Sequence, residues 1–136
     1  MGVEDLLVDA RSHLHRLTPQ AAADALVAGS ILVDIRPIDQ RRRQGDVPGA
    51  AIVGRNVLEW RFDPGPHRLP EATLRRAVIV MCAQGYASSL AARSLQSLGW
   101  RGATDVIGGF EAWAAAGLPV RACAGSSGEE TLDQAG

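Results

Sequence analysis

The chain carries only two cysteines in 136 residues, Cys82 and Cys123. A secreted disulfide scaffold needs more, and a chain of this length buries enough surface to do without staples. Neither sign of charge is in excess. The formal net charge is −1, so no global basic field points to nucleic acid or acidic lipid. Long apolar runs are missing as well: none approaches the roughly 20 residues of a membrane-spanning helix. The opening stretch, MGVEDLLVDARSHLHR, lacks the basic-then-apolar order of a signal peptide. A cytoplasmic location is therefore expected. Histidine is scarce, at three. His13 and His15 stand two apart, a poor spacing for one helical face, and His67 lies among prolines, so no metal site is expected.

What is present is the balance of a globular protein: 46% hydrophobic and 21% charged residues. Val3, Leu6, Leu7, Ala10 and Leu14 fall at helical spacing, which predicts an amphipathic helix within residues 1–16. Thr18-Pro19 reads as N-cap and first position of a second helix, closed by Gly29. ILVDI (31–35) is a short apolar run suited to a doubly covered parallel strand. IDQRRRQ predicts a short helix ended by Gly45. DVPGA (46–50) reads as a turn, AIVG as a short strand and NVLEWRF as a helical turn. PGPHRLP (64–70) is a proline-rich loop, and PEATL starts a further helix at Pro70. AVIVM (77–81) is the most strand-like segment. SSLAARSLQSLG (88–99) is helical, ATDVIG (103–108) is the last strand, and FEAWAAAG is the last helix. From about residue 122 the chain is small and polar, a tail expected to be flexible.

Strands alternating with helices imply an α/β fold with a mainly parallel sheet. Ligands in such sheets bind beyond the carboxyl ends of the strands. Cys82 lies at that end of AVIVM, inside the loop CAQGYASS (82–89). An isolated thiol is more often a packed core residue, but this position favours chemistry. Gly85 permits a tight, left-handed turn. Successive amides in such a loop form an anion-binding nest, and the following helix adds its positive end. Both favour a thiolate over a thiol. Ser88 and Ser89 are placed to cap that helix, and Gln84 and Tyr86 to line the mouth. A thiolate inside a ring of amides suits nucleophilic attack on an anionic sulfur or phosphorus centre.

Four stretches in order carry a family resemblance: LVDIR (32–36), GDVPGA (45–50), CAQGYAS (82–88) and IGGFEAWAAAGLPV (107–120). They resemble the Asp-x-Arg strand, the Gly-His-Ile-Pro-Gly-Ala turn, the Cys-x-x-Gly-x-Arg-Ser loop and the Gly-Gly-x-x-x-Trp…Gly-x-Pro-Val close of rhodanese domains, the single-domain sulfurtransferases. The likeness covers residues 17–121, taken as the domain. It implies a five-stranded, mainly parallel sheet with helices on both faces. It also implies that Cys82 accepts a sulfane sulfur, typically from thiosulfate, and passes it to cyanide or a thiol, with no cofactor or metal. A protein acceptor is a further candidate partner. The resemblance makes Ala83, Gln84, Gly85, Tyr86, Ala87 and Ser88 the lining of the substrate loop. Ala87 stands where many relatives have arginine, and Asp46 where the turn usually has histidine. The stretch from Arg36 to Gly45 is one residue longer than is common. Arg36, Arg55 and Arg61 are the cations left to meet an anionic substrate.

The remaining features read more plainly. Asp34 is expected as a strand-end polar residue, with a role in ordering a neighbouring arginine as the alternative. Arg41, Arg42 and Arg43 read as a solvated face, Trp60 as packing, Trp113 as core and Cys123 as an incidental thiol. Two other functions compete with sulfur transfer. One is a catalytically weak rhodanese-like module for binding or sulfur sensing. The other is a phosphatase or arsenate reductase, which CAQGYAS disfavours because it contains no arginine.

Overall fold

The computed structural model describes residues 2–73 and 76–123. The expected tail lies outside them from residue 124 onward. Ten elements alternate along the chain: α1 (Val3–Ser12), α2 (Pro19–Val27), β1 (Ile31–Asp34), α3 (Ile38–Gln44), β2 (Ala51–Ile52), α4 (Leu58–Phe62), β3 (Val78–Met81), α5 (Ala87–Ser97), β4 (Thr104–Asp105) and α6 (Gly109–Ala115). A 3-10 turn, Arg55–Val57, leads into α4. Thr18 caps α2 through its side chain, which accepts from the Ala21 amide, with Pro19 in the first turn. Pro70 starts only a turn, and no helix forms over 70–73.

The strands form one parallel sheet in the order β2-β1-β3-β4. The sheet has four strands among the described residues, not the five expected. Where the fifth would lie, a single parallel bridge joins Leu17 to Val106 beyond β4. It cannot extend, because Thr18 turns the chain into α2 and Pro19 has no N–H for a ladder. The remnant is well made: the Leu17 amide donates to Asp105 at 3.0 Å, and Leu17 accepts from Ile107 at 2.8 Å.

Both central strands are buried along their whole length, and successive side chains point to opposite faces. Ile31, Val33, Val78 and Val80 meet Leu58 and Phe62 of α4 and Ala91, Ala92 and Leu95 of α5. Leu32, Ile79 and Met81 meet Ala22 of α2 and Phe110 and Trp113 of α6. Each of the larger of these side chains, Val, Leu, Ile, Met or Phe, stabilises by about 1.5–3 kcal/mol when fully buried. Trp113 is core, as expected, and donates its indole N–H to Pro119 at 2.9 Å. α1 packs on α5 through buried Leu7 and Ala10, but Val3 and Leu6 stay exposed, so its apolar stripe is narrower than the spacing implies.

Register sets the site. Asp34 pairs with both Ile52 and Met81, so β1 and β3 end side by side. The Ile35 amide still reaches the Met81 carbonyl at 3.0 Å. Ile35 and Arg36 therefore leave the sheet directly beside Cys82.

Candidate active site

Cys82 follows β3 without a gap and is 8% exposed. Two backbone amides donate to its sulfur: Gly85 N–H at 3.2 Å and Ser88 N–H at 3.3 Å. Gly85 makes this possible with φ +89°, a left-handed conformation that side chains resist. A β-carbon there would also press on the Gly108 amide at 2.8 Å.

The loop carbonyls are held on the other side. α6 donates the Phe110 amide to the Cys82 carbonyl at 2.8 Å and the Glu111 amide to Ala83 at 3.0 Å. The Gly85 carbonyl accepts from Arg11 at 2.7 Å and Arg16 at 3.0 Å. A peptide unit is planar and trans, so a carbonyl fixed on one side leaves its N–H on the opposite side. Outward anchoring of these three carbonyls turns the Ala83, Gln84 and Tyr86 amides to the opposite side and fixes the frame in which Gly85 and Ser88 meet the sulfur. Gly108 and Gly109, both at positive φ, let α6 come this close.

Ser88 and Ser89 do not cap α5. The helix starts at Ala87, which puts both in its buried first turn. Their hydroxyls donate instead to one oxygen of Asp105, at 2.7 and 2.8 Å. Asp105 is fully buried and also pairs with Arg16, Nε to Oδ1 at 2.8 Å. This carboxylate joins the end of β4 to the floor of the loop.

A cavity of about 330 Å³ opens over the cysteine. Of the residues singled out in the sequence, Arg36, Arg55, Cys82, Ala83, Gln84, Tyr86 and Ala87 line it, with Ile35, Pro37 and Gln40 completing the wall. Gly85 and Ser88 reach the sulfur through their amides alone. Tyr86 is 57% exposed at the rim.

The two arginines of the cavity differ in what they offer. The Arg36 side chain is fully buried, and its guanidinium is committed to Asp34 (Nη2 to Oδ2 2.7 Å), Gln44 (3.0 Å) and the Gly45 carbonyl (2.8 Å). It lies over the Phe110 ring, 4.0 Å from the centroid. Asp34 is therefore the orienting partner of an arginine, not a bare strand-end group. Arg55 is 42% exposed, and its Nη1 donates to Glu59 at 2.9 and 3.0 Å. Burial pushes the Glu59 carboxyl up, but hydrogen bonds from Ser94 and its own backbone, with the Arg55 charge, outweigh this and hold it below its ordinary 4.5.

Other sequence readings change. Arg41 is not solvated: its side chain is 12% exposed and bonds Asp46 at 3.1 Å and the Cys123 sulfur at 3.5 Å. Asp46, in the turn, sits between Arg41 and Arg36 and is buried accordingly. Trp60 is 62% exposed rather than packed, because α4 already buries Leu58 and Phe62. Cys123 is buried beside Arg41. Arg11, Arg16 and Asp105 escape sequence reading, since nothing in their neighbourhoods marks a contact with a loop so distant in the chain.

A family model described as Rhodanese-like domain matches residues 18–116. The thiosulfate sulfurtransferase GlpE of Haemophilus influenzae is 33% identical over 104 residues, 76% of this chain and 91% of that protein. Its namesake in Actinobacillus pleuropneumoniae is 36% identical over 68% of this chain and 78% of that protein. Among solved structures, a protein of unknown function from Rhodopseudomonas palustris, described as a possible tyrosine phosphatase, aligns with a TM-score of 0.83 and 31% identity, over 89% of this chain and 95% of that one.

Proposed function

The chain belongs to the rhodanese-like family, and we propose that it is a sulfurtransferase that carries sulfane sulfur on Cys82. The observation that supports this most directly is the pair of amides at 3.2 and 3.3 Å from a sulfur at the open end of a parallel sheet. Two N–H dipoles aimed at Sγ are placed to meet negative charge that develops on the sulfur. The same loop can hold the anion that replaces a thiolate.

The chemistry has two balanced steps. The Cys82 thiolate attacks the outer sulfur of thiosulfate. A new S–S bond forms to Cys82 while the S–S bond of thiosulfate breaks, and its electron pair leaves with sulfite. The product is a Cys82 persulfide anion. A nucleophilic acceptor, cyanide or a thiolate, then attacks the terminal sulfur and returns the electron pair to the cysteine. Charge is conserved in both steps, and no redox partner or metal takes part.

The cavity supplies one cation near the substrate, Arg55, since Arg36 is spent on Asp34. Arg55 is accordingly assigned to the sulfonate end of the donor. Ala83, Ala87, Gln84 and Tyr86 shape the mouth without charge, which leaves space for the acceptor.

The test is intact mass after incubation with thiosulfate. A gain of one sulfur atom is expected, absent in Cys82→Ala and removed by cyanide. A thiol that stays unmodified with thiosulfate and with organic persulfides would sink the proposal and favour a binding module. Release of phosphate from an aryl phosphate, lost in Cys82→Ala, would move the reading to phosphoryl chemistry.

A further inference from the structure

We infer that Arg11 and Arg16 are positioning residues for Cys82, acting from behind the loop through the Gly85 carbonyl. The inference rests on the sulfur-transfer reading for its turnover measurement only.

Both side chains converge on one oxygen. Arg11 Nη2 donates to the Gly85 carbonyl at 2.7 Å and Arg16 Nη2 at 3.0 Å. Charged donors make bonds roughly twice as strong as neutral ones. Two on one carbonyl fix the orientation of the 85–86 peptide. Its N–H, on Tyr86, is thereby turned away from the arginines. On the other flank of Gly85, the 84–85 peptide directs its N–H at Sγ. Rotation of the glycine would spoil that contact, and a glycine rotates freely unless something holds it. The arginines hold it.

Each arginine is itself anchored. Arg16 donates to Asp105 through Nε at 2.8 Å and Nη2 at 3.2 Å, and its side chain is 17% exposed. Arg11 donates Nε to Ser89 at 3.0 Å, and its guanidinium lies 5.6 Å from the centre of the Tyr86 ring. Arg11 thus touches the turn, the rim and the first turn of α5. Its own helix is fastened by Leu7 and Ala10 and by Gln96, whose amide donates to the His13 carbonyl at 3.0 Å.

Electrostatics works in the same direction. The loop from Cys82 to Ser88 holds no cation. Two arginines stand behind the loop, and only one of them, Arg16, is paired with the Asp105 carboxylate, so Arg11 brings its charge to the Gly85 carbonyl without a carboxylate partner there. Neither arginine lines the cavity, so the effect falls on the nucleophile and not on donor binding. Both lie ahead of the matched family span, which starts at residue 18. The brace is therefore built by residues that precede the span the family model matches.

The experiment compares the wild-type chain with Arg11→Met, which keeps the apolar stem and removes the donors, and with Arg11→Lys, which keeps the charge. Alkylation of Cys82 by iodoacetamide at fixed pH is followed by peptide mapping, beside steady-state sulfur transfer and thermal melting. Arg11→Met is expected to slow Cys82 alkylation about fivefold. It should lower kcat while leaving the thiosulfate KM unchanged. Arg11→Lys should recover at least half of the loss. Arg16→Lys provides the second arm, because it leaves Asp105 with a cationic partner; its alkylation rate should lie between wild type and Arg11→Met. Wild-type alkylation in Arg11→Met, equal losses in Arg11→Met and Arg11→Lys, or a change in KM alone would each overturn the inference. Alkylation needs no sulfur donor, so a failure of sulfur transfer leaves this test intact and is read separately.

Discussion

Gly109 stands so close to Cys82 that a β-carbon on the glycine would overlap the cysteine's carbonyl oxygen. The glycine is also at φ +61°. The closeness is what lets the next amide of α6 bond that carbonyl. Gly109→Ala is expected to lose about 1–2 kcal/mol from the left-handed conformation alone, and more from the overlap. Gly117→Ala is the control, with φ +77° and nothing near its β-carbon. Both variants should melt earlier, but only Gly109→Ala should lose sulfur loading on Cys82. Equal loading in the two would show that α6 does not shape the loop.

Arg55 and Glu59 should affect donor binding in opposite directions. Arg55→Ala removes the one cavity arginine not committed to the protein core, and should raise the thiosulfate KM about fivefold with little change in kcat. Glu59→Gln releases Arg55 from its carboxylate and should lower that KM. Initial rates across a thiosulfate series decide both. An unchanged KM in the two variants would remove Arg55 from the donor site.

Glu59, held by Ser94, its own backbone and Arg55, also predicts a pH dependence of stability. Glu59 is held below its ordinary 4.5 in the folded chain. A carboxylate lowered by folding contributes stability above its unfolded value, and that contribution is lost as pH falls through the lower, folded value. The pair is partly exposed, so its worth is about 1 kcal/mol or less. Melting curves of wild type and Glu59→Gln should therefore differ near neutral pH and converge well below 4.5. A gap that widens in acid would contradict the assignment.

Local pattern carried the elements whose cause is local. AVIVM could be read as a strand because a doubly covered parallel strand is apolar on both faces, and Thr18-Pro19 as a helix start because the cap is made by the next few residues. The loop around Cys82 was legible for the same reason: strand end, glycine and helix start lie within one short stretch. What was not legible depends on residues far apart. Arg11 and Arg16 meet Gly85 across separations of 74 and 69 positions. Arg41 looked like surface because its neighbours are arginines, yet Asp46 and Cys123 fold over it. Ser88 and Ser89 looked like caps, and a helix starting one residue earlier made them ligands of Asp105. The fifth strand shrank to one bridge because α2 begins immediately after Leu17.

The sheet's outer strands are both very short. β2 offers Ala51–Ile52, and β4 offers Thr104–Asp105 with Leu17 already seated against the residue that follows. An unpaired strand edge is a template on which a second chain can add itself, and its danger grows with its length. Here neither rim is long enough to seed such growth. A protein whose Cys82 loop sits at one end of its sheet thus keeps the flanks of that sheet unattractive to its own copies, and a crowded solution of it should resist fibrous aggregation.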